Sequence, residues 1–579
     1  MKPDPILECD VLVLGSGAGG LSTAVTAAAR GLSVLVCEKE DVFGGTTAWS
    51  GGWMWIPRNP LATRAGIVED ESAPRAYLKS ELGAHFDAAK ADALIEHGPR
   101  MVEFFERRTS MRFVDGNRIP DFHTTHGAAT GGRSVCAMPF DGRELGPLID
   151  KLRPPLVEMT IKGMAIASGQ DLAHFMNATR NAKSAWHVTK RFATFAWHSL
   201  RYRRSMHLVN GNALVARLLK SAADRGVDLR TRAKAVSITR EGERVTGARV
   251  EIEGVMHDVR ARRGVVLACG GYPHDVQRQK ETFPVMPHWS AAPRSNTGDG
   301  IRLGVAAGAH FDASLEAPAA WAPVSLVPKS EGQDVAFAHL IERAKPGVIA
   351  VTRAGRRFTN EASSYYDFVS ALIGTTAPGD ETCAWLVCDH RFQRRYGLGF
   401  AKPFPFPLGP YERSGYLQSA PTLDALAQQC GIDARALADT VATYNTYAKD
   451  GFDPQFHKGS TPYNRVQGDA SHKPNPCLAP IVDGPFHAVK IVPGSLGTFA
   501  GLSTDARSRV LDETRAPISG LYAIGNDAAS MMGGHYPAGG ITLGPAMTFG
   551  YLAGLELAEP AREESIANSS NFTHARTLQ

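Results

Sequence analysis

Apolar residues fall in short runs punctuated by glycine and polar residues, and the runs alternate between strand and helix patterns. Residues 9–14, Cys-Asp-Val-Leu-Val-Leu, read as a strand. Gly15-Ser16-Gly17-Ala18-Gly19-Gly20 follows, then a helical run over 21–30 and a second strand over 33–37 that ends at Glu38. Farther on, 211–214 opens a helix, and 228–236 and 265–268 read as strands. Near the end, 521–527 is a short apolar strand closing in Gly-Asn-Asp, and 539–550 reads as a glycine-rich loop running into a helix. This order predicts an α/β fold.

The first unit carries chemistry. Gly15 permits a tight turn, Gly17 lets the backbone approach a pyrophosphate, and Gly20 lets the helix pack close to the strand. The helix N-terminus then faces the phosphates with unpaired N–H groups. Glu38 is placed to accept hydrogen bonds from a ribose diol. In this strand–turn–helix–strand context the glycines point to a dinucleotide rather than to a bare turn. The next loop, Gly-Gly-Thr-Thr-Ala-Trp-Ser-Gly-Gly over 44–52, suits a flavin ring and its ribityl chain, with Thr46, Thr47 and Ser50 as hydrogen-bonding groups. A simple NAD domain would pass to its next helix here. A helix start at 543, aimed at the flavin pyrimidine, would stabilise negative charge on the reduced ring. The site is thus assembled from both ends of the chain, and the middle is an insertion.

The expected architecture is a Rossmann-like FAD-binding domain over 1–310, returning at 485–560, with an inserted α+β capping domain over 311–484 and a loose polar tail at 561–579. Residues expected to line the FAD are Gly15, Gly17, Ala18, Gly20, Glu38, Lys39, Gly45, Thr46, Thr47, Ser50, Gly51, Gly52, Val236, Asp299, Asn526 and Leu543.

Composition narrows the function. At 579 residues the chain is too long for one compact core. A net charge of +5 is slight for this size and argues against a dedicated nucleic-acid binder. No apolar run reaches the ~18 residues of a membrane span. The first ten residues are too short and polar for a signal peptide, so a cytoplasmic protein is expected. The eight cysteines contain no CxxC pair and no ligand-like cluster with histidine, so no metal is expected. Cys383 and Cys388 lie at an odd offset on an apolar strand, which places their thiols on opposite faces.

One segment stands apart. Residues 172–223 contain no Asp or Glu, and 183–204 interleave aromatic residues with Lys and Arg. The simpler reading is a helix packed on its own domain with a solvated basic face. The other is peripheral contact with an anionic membrane, from which an apolar substrate is drawn.

Several stretches resemble the fumarate reductase/succinate dehydrogenase flavoprotein superfamily. They are the glycine turn, the 44–52 loop, Asn296-Thr297-Gly298-Asp299-Gly300, Gly355-Arg356-Arg357-Phe358-Thr359-Asn360-Glu361 and the 521–550 block. Within it, Tyr536-Pro537-Ala538-Gly539-Gly540 and the following 543–550 are similar to the 3-oxosteroid 1-dehydrogenases. The resemblance implies non-covalent FAD and removal of two hydrogens beside a ring ketone, most often a steroid. It maps the proton-accepting tyrosine to Tyr365, with Tyr366 as an adjacent rival, and the carbonyl-holding pair to Tyr536 and Gly540. It also implies a third tyrosine that bonds to the base, and Phe122 stands at that place. His123 and His126 are the neighbouring groups able to relay a proton instead.

Two other functions compete. A fumarate reductase-type enzyme needs an arginine clamp for a dicarboxylate, and His535-Tyr536-Pro537-Ala538-Gly539 offers none. The covalent-flavin histidine of that group is also absent, with Thr46-Thr47-Ala48-Trp49 in its place. A flavin-binding electron-transfer subunit without its own substrate would have no use for the two tyrosines and a capping domain. A desaturase of a smaller alicyclic ketone fits the same residues. No second glycine-rich nucleotide turn appears, so electrons are expected to leave to a quinone-like or other small acceptor.

Overall fold

The structure is a computed structural model that describes residues 5–329 and 332–559. The tail expected at 561–579 lies outside the described residues.

Strand Ile6–Leu14 is the axis of the first sheet. It pairs in parallel with Val34–Cys37 on one side and Val255–Leu267 on the other. Asp228–Arg230 and Pro517–Ala523 extend the parallel order outward. Ala233–Glu241 and Arg244–Ile252 add an antiparallel flap on Val255–Leu267. Successive side chains of a strand point to opposite faces, so the axial strand feeds two cores. Val11 and Val13 join one, Leu12 and Leu14 the other, and all four are essentially buried.

The helices that matter for the site are α1 (Ala18–Ala29), α2 (Ala73–Leu82), α3 (Gln170–Met176), α4 (Ala182–Tyr202), α5 (Asn210–Ala223), α6 (Tyr365–Thr375), α7 (Pro462–Gln467) and α8 (Leu543–Ala558). α1 packs against α5 and α8. The approach of α8 is close enough to demand glycine: a Cβ on Gly550 would lie 2.5 Å from the Gly19 carbonyl oxygen.

The second sheet is built on Phe486–Thr498, with antiparallel partners Ala319–Val327 and Ala384–Cys388, and Val335–Ala338 and Val348–Val351 outside them. Residues 486–498 were expected to open the returning FAD-binding part. They form instead the centre of this second sheet, and the chain rejoins the first sheet only at 509–523. An apolar run reads as a strand of either sheet; its long-range partners decide, and they are not visible locally. Cys383 packs beside Val324 and Val492 whereas Cys388 sits in the main core, and all eight thiols are free.

Candidate active site

A cavity of about 2010 Å³ runs from the carboxyl end of the axial strand into the second sheet. That exceeds the ~300–1,000 Å³ of a single ligand pocket, so a dinucleotide and a substrate both have room. It lies at a point where parallel strands diverge, where such folds bind nucleotides.

The nucleotide end is shaped by backbone. Gly15 has φ +107°, and a Cβ there would meet the Ala268 carbonyl oxygen at 2.1 Å. A Cβ on Gly20 would meet the Gly15 carbonyl oxygen at 2.3 Å. Gly17, at the start of α1, and Thr542, at the start of α8, make no side-chain cap, so both helices turn open N-termini to the cavity. Glu38 is nearly buried in the cavity wall, and its Oε2 accepts from the Ser16 hydroxyl at 2.6 Å and the Ser16 N–H at 3.2 Å. Lys39 pairs with Asp299. The Thr47 hydroxyl accepts from the Ala18 N–H at 3.0 Å, and the Asn296 side-chain amide donates to the Thr46 hydroxyl at 2.9 Å. Ser50 donates to the Thr47 carbonyl at 2.7 Å and tightens the turn.

Of the residues expected around FAD, the cavity wall contains all but Gly20 and Val236. Gly20 acts behind the wall, in helix packing. Val236 turns its side chain to solvent, and Ala233, Lys234 and Ala235 form the wall beside it. Asp527 was not anticipated. It is fully buried, accepts from the N–H groups of Cys269 at 2.5 Å and Gly271 at 2.9 Å, and burial pushes its carboxyl up to about 6. It braces the loop that closes the cofactor cradle. These donors, glycines and acceptor fit FAD.

The far end is a cluster of aromatic side chains. Tyr365 and Tyr536 face each other edge-on with ring centroids 5.0 Å apart. Phe122 stacks on Tyr536 at 5.7 Å and meets the edge of Tyr365 at 5.5 Å. Tyr463, from α7, lies 4.5 Å from Phe122 and lines the same wall. Each side chain is placed by a local device. Ser364 caps α6 by accepting from the Asp367 N–H at 3.1 Å, which fixes Tyr365 at the first helical position. The Pro537 carbonyl accepts from the Tyr77 hydroxyl at 2.6 Å and the Phe122 N–H at 2.9 Å, tying two loops together. Gly540 has φ +97°, and a Cβ there would strike the Trp53 backbone at 2.7 Å. Tyr366 donates its hydroxyl to the Gly534 carbonyl at 2.8 Å and is not part of the wall.

Burial pushes the Tyr365 phenol well above its ordinary range, and coupling to Tyr536 adds to this. Arg343 opposes it. That guanidinium is buried, and among the described residues it pairs with no carboxylate. Its donors go to the carbonyls of His339 at 2.9 Å, Glu361 at 2.7 Å and Ser363 at 3.3 Å. It therefore clamps the approach to α6 and sets a positive charge, within the fields of Glu342, Asp367 and Glu361, near Tyr365 and Tyr463. Lys345 is similar: buried in the wall, bonded to the Gln467 and Gly468 carbonyls at 2.6 and 2.8 Å, and lowered by burial to about 8.

The two candidate relay histidines are placed differently. His123 bridges two carboxylates, Glu81 of α2 at 2.5 Å and Asp367 of α6 at 2.9 Å. Burial works against its charge, but the two acids outweigh it and raise the ring to about 10. Both nitrogens are engaged, so His123 ties α2 to α6. His126 is exposed and outside the cavity wall. Tyr463, Arg343 and Lys345 carry no sequence motif; only the fold brings them to the tyrosines.

The FAD binding domain family matches residues 10–543. The chain is 39% identical to 4-oxocyclohex-2-ene-1-carboxylate 5-dehydrogenase of Sinomonas cyclohexanicum, over 97% of this chain and 95% of that one. It is 35% identical to 3-oxosteroid 1-dehydrogenase of Mycolicibacterium smegmatis, over 96% and 98%. Among solved structures, 3-ketosteroid delta1-dehydrogenase from Sterolibacterium denitrificans in complex with 1,4-androstadiene-3,17-dione superposes with a TM-score of 0.88 at 37% identity, covering 95% of this chain and 99% of that one.

Proposed function

This chain belongs to the FAD binding domain family and is an FAD-dependent oxidoreductase, and on that footing we propose that it desaturates a ring ketone beside its carbonyl, with 3-ketosteroids as the substrate class. The observation that carries the reading is the meeting of Tyr365, from the inserted part, with Tyr536 and Gly540, from the returning part, in one buried wall of the cofactor cavity. Similarity to steroid Δ1-dehydrogenases over nearly the whole chain supports it.

The Tyr536 hydroxyl and the Gly540 N–H donate to the ketone oxygen and stabilise the enolate that forms there. Tyr365 takes the proton from the α-carbon. FAD, held non-covalently in the cradle of Gly15, Glu38 and residues 44–52, would supply the two-electron oxidant for loss of a hydride from the β-carbon as the C=C bond forms. Arg343 favours the phenolate that Tyr365 must become, against the cost of burial. Phe122 offers no hydroxyl, so Tyr463 is the phenol closest to its position. The reading calls for a quinone-like or other small molecule as the final electron acceptor.

A second reading is a small alicyclic keto acid. Lys345 favours it: a buried ammonium on the cavity wall, without a carboxylate partner among the described residues, suits a substrate carboxylate. Anaerobic titration of the oxidised holoenzyme separates the two. Bleaching of the flavin absorbance by a 3-ketosteroid and not by 4-oxocyclohexanecarboxylate supports the steroid reading. The reverse moves the substrate to the smaller ring, and bleaching by neither overturns both.

A further inference from the structure

A proton taken by Tyr365 has to leave again before the site can act a second time, and the groups around that phenol leave one way out. Phe122 has no hydroxyl, both nitrogens of His123 are held by carboxylates, and the Tyr366 hydroxyl is spent on the Gly534 carbonyl. The side-chain hydrogen-bonding neighbour of the Tyr463 phenol is Gln467. For Tyr365 that neighbour is Tyr536, and Tyr536 has Tyr365 on one side and Thr542 on the other. A hydroxyl both donates and accepts, so a row of three passes a proton along without the middle group ending charged.

Thr542 stands in a partition. Behind the cofactor cavity lies a second, small one of about 50 Å³. Ile524, Gly525, Asn526, Thr542 and Ala546 belong to the walls of both, and of these five Thr542 carries the only hydroxyl. It precedes α8 without capping it, so that hydroxyl is not committed to the helix backbone. The hydroxyls of Thr504 and Ser530 line the small cavity with it. A water needs ~10–15 Å³ of such space and two or more polar partners, and both requirements are met there.

Lys90 is in the same small wall and is partly exposed, so the cavity reaches the surface beside it. The Asp87 carboxylate caps helix Ala88–Arg108 by accepting from the Lys90 N–H at 3.1 Å, which fixes Lys90 in the first turn. The Lys90 ammonium has no hydrogen-bond or ion-pair partner among the described residues. Burial lowers its pKa, and Arg515 lowers it further, against the opposing fields of Asp87, Asp312 and Asp505.

We propose that the proton taken by Tyr365 leaves through Tyr536 and Thr542 into water of the small cavity, and from there through Lys90 to solvent. Each hydroxyl accepts one hydrogen and gives up another, so both are restored. The Tyr365 phenolate is regenerated, and one proton reaches solvent for each one removed from the ketone. The route rests on the ring-ketone reading. Thr542 and Lys90 act on the ketone only through Tyr536 and Tyr365.

The test compares two rates of the holoenzyme. First-turnover bleaching of the flavin by a 3-ketosteroid reports oxidation of the ketone. Exchange of the ketone's α-protons in deuterium oxide, on enzyme reduced beforehand and saturated with ketone, reports proton exit. Thr542→Val and Lys90→Met should each lower exchange relative to bleaching by more than about tenfold. Thr542→Ser keeps the hydroxyl and should return the ratio to that of the wild type. Added methylamine should restore the ratio in Lys90→Met and not in Thr542→Val, where the break lies upstream. If Thr542→Val loses its flavin, Lys90→Met with methylamine decides alone. An unchanged ratio in Lys90→Met or in a flavin-loaded Thr542→Val overturns the route, and so does Thr542→Ser behaving as Thr542→Val does. Wild-type flavin that no ketone bleaches overturns the ring-ketone reading itself.

Discussion

At the nucleotide end of the cavity, recognition falls mainly to backbone, held in the few contiguous segments around residues 15–20, 38–39 and 44–52; at the ketone end it falls to side chains at 122, 365, 463 and 536, brought together only by the fold. At its tightest turn the first end leaves no room for an added atom. A Cβ at Gly15 has nowhere to go. The second end is set by the side chain at each position, Phe122 offering no hydroxyl, and each change alters where protons and charge can sit. Backbone sites therefore fail by losing the ligand, and side-chain sites fail by losing chemistry with the ligand still bound.

Four changes sharpen that contrast, from the most severe to the mildest. Gly15→Val should eliminate bound flavin, read as the 450 nm to 280 nm absorbance ratio of purified protein; a normal ratio would break the account of the nucleotide end. Tyr536→Phe should keep its flavin and lose on the order of 10²–10³ in turnover, as loss of one donor to a developing oxyanion does. Loss of flavin along with turnover would make Tyr536 a structural residue instead. Arg343→Met should move the alkaline-forming ionisation that governs kcat/KM to higher pH, because a cation favouring the Tyr365 phenolate is gone. Arg343→Lys should restore the position of that ionisation, which a purely structural clamp would not do.

The mildest effect concerns His123. Its ring is raised to about 10 in the folded chain against an ordinary ~6.5. The folded state then binds the extra proton more tightly than the unfolded one. The stabilisation is complete below about pH 6.5 and is lost as pH rises through about 10. The melting temperature should fall across that window in the wild type and less steeply in His123→Gln. Parallel curves would mean that the Glu81–His123–Asp367 bridge adds nothing to the fold. The ring is about one-third exposed, which keeps the effect small.

The same contrast explains what could be read before the fold was known. The cradle around Gly15, Glu38 and 44–52 was legible because its residues are consecutive and each answers a local demand of turn, helix start or strand end. Val236 stands one residue beyond the wall stretch 233–235, with its side chain toward solvent. Strand 486–498 failed in assignment because both sheets accept the same apolar run. Tyr365, Tyr536 and Gly540 were singled out through resemblance, with the glycine-rich loop beside Tyr536 as the one local signal. Arg343, Lys345 and Tyr463 were not reached at all. Their neighbours come from distant segments of the chain, which no local pattern records.

The central claim is that Tyr365 takes the α-proton of a ketone held by Tyr536 and Gly540. Exchange of that proton with solvent tests it without requiring turnover. With the holoenzyme reduced beforehand, so that no net oxidation occurs, a bound 3-ketosteroid in deuterium oxide should exchange its α-protons in the wild type. In Tyr365→Phe exchange should cease while ligand binding stays nearly intact. Undiminished exchange in that variant, together with its loss in Tyr366→Phe or Tyr463→Phe, would contradict the assignment and give the proton to the neighbouring phenol.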